Sequence, residues 1–432
     1  MPELPEVEHF RQILLPLVVG SKAGSAKTKS TKNHPCVVFE CPPPLPTKRF
    51  PSQDIIDLIN QGRYVIEDVL RKGKVLCMIL EKQNYVSSAK RGASGKIGKS
   101  AKRGAEDDDT ISITGKERTI YLSLHMGMTG RISSPNHVPG LESLSDNDAY
   151  PPPHTHLVIK SNGEEASFSD PRRFGSVLVD VGGEDEIPCA ESIPTFLDIS
   201  QDALDASKAY CSTMKQQKSK GGSAADEQQP KIVEQLMNRK KGIKGLLLDQ
   251  RAVVSGVGNW VADEILYRTH IHPDQSYLTM DEADKLVKEM HYVLSTAVSC
   301  LNNGDEFPEE WLFHRRWRNG GGGGKQKDCD GKTITFVQSG GRSTAIVPAL
   351  QKVKGRKSLN QAKKVMKKPS GKGKDVDEDS PKSKSQRKKR ASTAENSNGS
   401  SSKAPKAKGE KRKHVDKTEP KRRSKSGATK RD

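Results

Sequence analysis

Apolar runs long enough to cross a membrane are missing from this 432-residue chain: no stretch reaches 18 residues, which excludes a transmembrane helix. Apolar residues make up only 32% of it and aromatics 5%. That is too little for one packed globule of this length, so part of the chain is expected to lie outside any core. Cysteine is scarce too. The seven are scattered (Cys36, Cys41, Cys77, Cys189, Cys211, Cys300, Cys329), against a disulfide framework and in favour of a reducing compartment. Cys36 and Cys41 have metal-like spacing, but no second pair completes a zinc site, so no metal is expected. The N-terminal string is acidic and Pro-rich and resembles neither a secretory signal nor an Arg-rich transit peptide.

A deficit of charge is hidden inside the total. The formal charge is +19, yet residues 351–432 hold 29 Lys and Arg against 9 Asp and Glu, a net of +20. The preceding 350 residues hold 44 against 45, a net of −1. The basic signal belongs to the tail and says nothing about what the body binds.

Periodicity divides the body in two. Val7, Phe10, Ile13, Leu14 and Leu17 have helical spacing and predict a helix over 7–18. Short β-rich runs follow at 36–39, 64–69, 75–80, 119–124, 155–160 and 176–181, punctuated by Pro and Gly. They predict an antiparallel β-sandwich or barrel. Residues 87–118 and 133–150 are polar, aperiodic insertions. The Gln/Ser/Lys-rich stretch 207–230 reads as interdomain linker. Helices are expected at 232–238, 260–268 and 281–301, the last with a Thr279/Glu282 capping box. Two β segments, 333–338 and 342–347, joined by Ser339-Gly340-Gly341, give a hairpin signal. Beyond about 352 no core-forming pattern remains, which predicts disorder. The expected organisation is therefore α+β: a sandwich domain at 1–190, a linker at 191–230, a helical domain at 231–312, a hairpin at 313–352 and a basic tail at 353–432.

Met before Pro2 is normally removed, which exposes a secondary amine. An α-amino group has a pKa of about 7.7–8.0, so part of it is neutral near neutral pH. Such an amine can attack an aldehyde-like carbon and form an iminium without a further nitrogen proton. Glu3 beside it could shuttle protons. On these two residues alone, an exposed chain start with no chemical role is the better account. Lys74, within Arg71-Lys72-Gly73-Lys74, reads either as functional or as a solvated turn. His154 and His156, two apart, are expected on one strand face. Backbone N–H groups of Gly256-Val257-Gly258-Asn259 open a helix and could bind phosphate.

Pro2-Glu3-Leu4-Pro5-Glu6-Val7-Glu8 resembles the N-terminal signature of the formamidopyrimidine-DNA glycosylase family, which includes endonuclease VIII. His125-Met126-Gly127-Met128-Thr129-Gly130, Asp170-Pro171-Arg172-Arg173-Phe174-Gly175, Gly256-Val257-Gly258-Asn259-Trp260 and Gly341-Arg342-Ser343-Thr344 recur in that family in this order. The resemblance covers about residues 1–352. It implies a helix-two-turns-helix element in the helical domain, with Pro2 as nucleophile at the sugar C1′ and Glu3 as general acid/base. Lys74 and Arg342 join the elimination chemistry. Met128, Arg172 and Phe174 resemble a triad that fills the gap left by an extruded base, whose unstacking costs a few kcal/mol. His154, Arg239, Lys244 and Asn259 are implied phosphate contacts; Glu264, by its place on a helix, is expected to make a structural ion pair. Family members with a four-cysteine zinc finger differ here. Cys329 is the lone cysteine near the hairpin, so the chain resembles the zincless plant-and-fungal-type branch, whose members often favour further-oxidised guanines over 8-oxoguanine.

The expected function is a bifunctional DNA glycosylase/AP lyase of base excision repair. It would remove oxidised purines (formamidopyrimidines and oxidised guanines) through a Schiff base on Pro2, followed by β,δ-elimination. The implied partner is double-stranded DNA with oxidised bases or abasic sites. No cofactor and no membrane are expected, and the chain should be a monomer. A non-catalytic damaged-DNA or chromatin binding protein on the same scaffold is the alternative; it would not require the set Pro2, Glu3 and Lys74. Arg387-Lys388-Lys389-Arg390 and Lys421-Arg422-Arg423 resemble nuclear localisation signals and predict a nuclear protein.

Overall fold

The structure, a computed structural model, describes residues 2–19, 36–42, 49–83, 117–139, 149–183, 187–219, 231–238, 240–316 and 326–354. Arg239, most of the 87–118 insertion, part of the 133–150 insertion, both basic runs and nearly all of the tail lie outside them.

Helix α1 (Leu4–Leu14) begins earlier than its apolar spacing predicts. Glu3 and Glu6 form a reciprocal capping box, and Pro5 sits in the first turn, where its missing N–H costs nothing. Pro16 then ends the α-helix in a short 3₁₀ turn, Leu15–Leu17. Strands β1 (Val38–Glu40), β2 (Tyr64–Lys72), β3 (Val75–Lys82), β4 (Thr119–His125), β5 (Arg131–Ser133), β6 (Thr155–Ser161), β7 (Glu164–Ser169) and β8 (Ser176–Val181) follow, with α2 (Gln53–Gln61) between β1 and β2. They make two antiparallel sheets, ordered β1-β6-β7-β5 and β2-β3-β4-β8. One core unites Phe39, Ile132, Leu157, Ile159 and Phe168 of the first sheet with Ile66, Leu76, Met78 and Leu122 of the second, as expected for a sandwich. Strand β3 is continuously apolar because its other face is covered too: Cys77 and Ile79 pack with Tyr121, Ile193 and Phe196. Strands β5 and β7 escape the sequence pattern. The first is three residues long, and β7 buries serines alongside Ala166 and Phe168.

The expected linker is partly structured. After α3 (Pro194–Leu197), α4 (Ala203–Ser219) is a helix of 17 residues, with Ala203, Ser207 and Tyr210 buried at i, i+4 and i+7. Its polar composition conceals a narrow apolar stripe, which packs in the helical core. That core also takes α5 (Lys231–Met237), α6 (Ile243–Leu248), α7 (Asn259–Thr269) and α8 (Met280–Asn303). The Thr279/Glu282 capping box starts α8 as predicted. The hairpin of β9 (Thr335–Ser339) and β10 (Arg342–Ile346) turns through Gly340 and Gly341, both at positive φ, as a two-residue turn of this kind requires.

One helix joins the two cores. Leu4, in the first turn of α1, belongs to the helical core, whereas Val7, Phe10 and Leu14 belong to the sandwich core. The chain start is thereby fixed between them.

Candidate active site

Pro2 and Glu3 are buried. The Glu3 carboxylate accepts the backbone N–H of Trp260 at 2.9 Å on Oε1 and of Val261 at 3.1 Å on Oε2. These are orphan donors of the first turn of α7, where positive helix-end potential favours an anion. The N–H groups of residues 260 and 261 therefore serve a carboxylate within the protein, and of the N–H groups expected to face a phosphate that of Gly256 donates instead to Gln250 Oε1 at 2.7 Å. A Cβ on Gly258 would overlap the Glu3 carboxyl group, and one on Gly256 would meet Leu4 Cδ1 at 2.5 Å. Leu4 N also donates to Gly256 O at 3.1 Å.

Glu6 supports Glu3 from the same helix. Its Oε2 accepts the Glu3 N–H at 3.0 Å, and its Oε1 accepts Trp260 Nε1–H at 3.0 Å. Burial raises the Glu3 pKa, opposed by the Lys74 charge and the two α7 amides. Burial and the Glu3 charge push Glu6 up to about 7. Desolvation lowers the Lys74 pKa, opposed by Glu3 and Glu6 and aided by the Arg342 charge. Glu3, Lys74 and the hairpin arginine thus share one electrostatic neighbourhood beside Pro2, although more than 330 residues separate Glu3 from Arg342.

The β2–β3 turn that carries Lys74 is latched to the helical half. Asp202 Oδ2 accepts the Gly73 N–H at 2.8 Å and also pairs with Arg71 Nη1. Arg71 Nε reaches Glu8 Oε2 at 2.7 Å. Gly73 stands at φ +59 against Ser255, so the turn lies on the loop that also seats Glu3. Arg71 and Lys72 are consequently not a solvated basic patch. Arg71 is buried in ion pairs, and Lys72 Nζ donates to Phe196 O at 2.6 Å.

Met128, Arg172 and Phe174 come together on two loops. Phe174 is 48% exposed, and the Arg172 guanidinium lies 5.4 Å from its ring centroid; Met128 is half-buried at the neighbouring turn. Asp170, a residue to which sequence reasoning attached no role, staples the loops. Its Oδ1 accepts Thr129 Oγ1–H at 2.6 Å and its Oδ2 accepts the Gly175 N–H at 2.7 Å. Gly127, at φ +59, presses on the backbone of Phe174 and Gly175. His154 and His156 do not share a face. A register irregularity between Thr155 and Leu157 separates them. His154 is exposed at φ 63, whereas the buried His156 binds Asp170 O through Nε2 at 2.9 Å.

Lys244 requires a correction. Expected to face phosphate, it is fully buried, with Nζ 2.5 Å from Asp263 Oδ1 and donating to Thr344 Oγ1 at 2.6 Å. Asp263 Oδ2 also accepts Arg316 Nη2–H at 2.9 Å and the Ala345 N–H at 3.3 Å. This hub ties α6, α7 and Arg316 to the hairpin. Asn259 Nδ2 donates to Ser343 O at 3.1 Å, Ser339 Oγ–H to Asp274 Oδ1 at 2.6 Å, and Tyr267, Leu312, Ile334, Ala345 and Val347 form a small core beneath. Arg342 itself is exposed at the tip. Glu264 makes no ion pair among the described residues; its Oε2 accepts the Phe313 N–H at 3.0 Å, and burial pushes its pKa up to about 8. Among the described residues no group of three His, Cys, Asp or Glu side chains is arranged to hold a metal.

Residues 1–177 match the formamidopyrimidine-DNA glycosylase N-terminal domain, and residues 222–307 the formamidopyrimidine-DNA glycosylase H2TH domain. A formamidopyrimidine-DNA glycosylase of Arabidopsis thaliana is 31% identical over 267 residues, covering 60% of this chain and 60% of that protein. The match thus spans less than two thirds of that relative's length. One from Desulfitobacterium hafniense (strain DSM 10664 / DCB-2) is 31% identical over 237 residues, 52% of this chain and 73% of that protein. A solved structure of wild-type Lactococcus lactis Fpg (MutM) in complex with DNA containing an oxidised pyrimidine is 20% identical, covers 81% of this chain and 100% of that one, and superposes with a TM-score of 0.49.

Proposed function

The chain belongs to the formamidopyrimidine-DNA glycosylase family, and from that premise we propose that it is a bifunctional DNA glycosylase/AP lyase that removes oxidised purines from double-stranded DNA. The observation that carries this reading is Glu3: a buried carboxyl group, held by two helix-end amides next to Pro2 and within the field of Lys74. A protein that only binds DNA has no need of that arrangement.

Removal of Met1 frees the Pro2 nitrogen. Its lone pair forms a bond to C1′ of the damaged nucleotide as the glycosidic C1′–N bond breaks, and the bonding pair leaves with the base. The departing base takes up the proton that the Pro2 nitrogen sheds, and Glu3, whose pKa burial raises, supplies a proton to O4′, so the C1′–O4′ bond breaks and the Pro2 lone pair closes the C1′=N iminium. The resulting iminium draws electrons from C2′–H, so loss of that proton expels the 3′ phosphate, and a second elimination expels the 5′ phosphate. Lys74, with its lowered pKa, is suited to phosphate contact and proton transfer in these steps, and Arg342 extends from the hairpin tip to a phosphate. Met128, Arg172 and Phe174 fill the gap left by the extruded base. His154 and the remaining N–H of Asn259 meet the backbone, and Arg239 belongs with them by sequence.

The Asp263 hub and the core under the hairpin support assignment to the zincless branch, since they hold the arginine in place without thiolates. The two basic runs of the tail support a nuclear address, and the enzyme works as a monomer.

Borohydride trapping on abasic DNA tests the proposal. Wild-type protein should be captured covalently, Pro2→Gly should weaken capture strongly, and Glu3→Gln should lose base excision while still binding DNA. Full glycosylase activity in Glu3→Gln, or no trapping of wild-type protein, would overturn it.

A further inference from the structure

A cavity of about 510 Å³ opens against α1, lined by His9, Gln12, Ser134, His137, Glu165 and Asn302 among others, and by none of Pro2, Glu3, Lys74 and Arg342. Within it His9 Nδ1 lies 3.0 Å from Asn302 Oδ1, and His9 Nε2 lies 2.9 Å from His137 Nε2. An amide oxygen only accepts, so the His9 proton is held on Nδ1, which leaves the Nε2 lone pair aimed at the second imidazole. A metal-binding histidine has this arrangement: its outer nitrogen donates to an oxygen that fixes tautomer and ring orientation, and its inner nitrogen is free to ligate. His9 is nine-tenths buried between α1 and the end of α8. His137 is exposed on the Ser134–His137 turn, and the rings meet edge to face at 87°.

We propose that His9 and His137 bind a divalent transition cation of the zinc(II) or copper(II) type, bridging α1 to the turn after β5. Two nitrogens about 2.0–2.1 Å from a tetrahedral ion stand roughly 3.3 Å apart. The pair therefore opens by about 0.4 Å, which the exposed His137 can supply. No third His, Cys, Asp or Glu among the described residues completes the set, so water fills the other positions and the affinity is modest. Glu164 and Glu165 on the cavity wall add a negative field. Imidazole ligands select copper, nickel and zinc over magnesium and calcium. Because α1 carries Glu3 at its start, the ion would brace the helix that positions the catalytic carboxylate.

The test uses the full chain stripped with a chelator and titrated with zinc(II), copper(II) and magnesium(II), read by calorimetry and thermal melting. One equivalent of zinc or copper should bind and raise the melting temperature, and magnesium should do neither. His137→Ala, on an exposed turn, should weaken zinc affinity at least tenfold while borohydride trapping stays at the wild-type level. Copper(II) bound to wild-type protein should show hyperfine coupling to two nitrogens. Unchanged zinc affinity in both His137→Ala and His9→Asn would place the ion elsewhere in the chain, and no binding by wild-type protein would leave the pair as a hydrogen bond alone. Either result overturns the proposal, whereas the trapping assay reports separately on the catalytic reading.

Discussion

Glu3 occupies the space that a side chain at position 258 would need, and its two carboxylate oxygens take the N–H groups of residues 260 and 261. The seat of the general acid is therefore made by the absence of an atom 255 residues away in sequence. Gly258→Ala should displace the carboxylate and slow base excision about 100-fold or more, within the range that a positioned acid or base contributes. Single-turnover excision on an oxidised-purine duplex, with circular dichroism to verify the fold, measures this. Wild-type excision would place the working carboxylate somewhere else.

Lys244 and Arg342 should respond in opposite ways. Lys244→Met leaves Asp263 buried without its closest cation, and breaking one side of a buried pair costs about 3–5 kcal/mol. Urea denaturation should show that loss, with no change in the salt slope of DNA binding beyond what unfolding explains. Arg342→Ala, at the exposed tip, should change stability by less than about 0.5 kcal/mol yet weaken DNA binding and slow strand cleavage. A stable Lys244→Met protein with a shallower salt slope would return Lys244 to the DNA.

Glu264 gives a pH signature. Its folded pKa is about 8, against an ordinary value of 4.5. The unfolded chain thus releases this proton first, and the folded state binds more protons between the two values. Stability from this group is highest below about 4.5 and declines as pH rises toward about 8. Glu264→Gln keeps an acceptor for the Phe313 N–H and removes the titration. Its melting temperature should fall less than that of wild-type protein between pH 5 and 8; parallel curves would mean that Glu264 is already ionised when folded.

The tail carries a net of +20 against −1 for residues 1–350. Truncation after Lys352 should leave single-turnover chemistry intact and flatten the salt dependence of DNA affinity, by about 0.9 in slope for each phosphate no longer neutralised. An identical slope would show that the tail does not touch DNA.

Local chemistry was legible in the chain itself. Short β-rich runs announced most of the sandwich strands, Thr279 and Glu282 announced the start of α8, and Ser339-Gly340-Gly341 between two β segments announced the hairpin turn. These features depend on neighbours a few residues apart, so sequence order is enough to specify them. Pro2 and Glu3 stood out for a similar reason, because their chemistry belongs to the residue types. Helix α4 was hidden because the few buried positions among its described side chains, Ala203, Ser207 and Tyr210, leave its composition that of a linker.

What only the tertiary structure decided was which side of the surface each charge occupies. Lys244 is a cation preceding a glycine-rich loop, and nothing local distinguishes a phosphate ligand from the partner of Asp263; the burial of both, together with Thr344 a hundred residues on, settles it. The amides at the start of α7 are donors that any anion could take, and the protein's own Glu3 takes them because Leu4 is packed in the helical core. Asp170 gained its role in the same way, from two loops brought within reach of one carboxylate. Charge and hydrogen-bonding capacity are written residue by residue, but desolvation and pairing are properties of the assembled neighbourhood. In this protein they determined which polar groups became scaffold and which remained free to act.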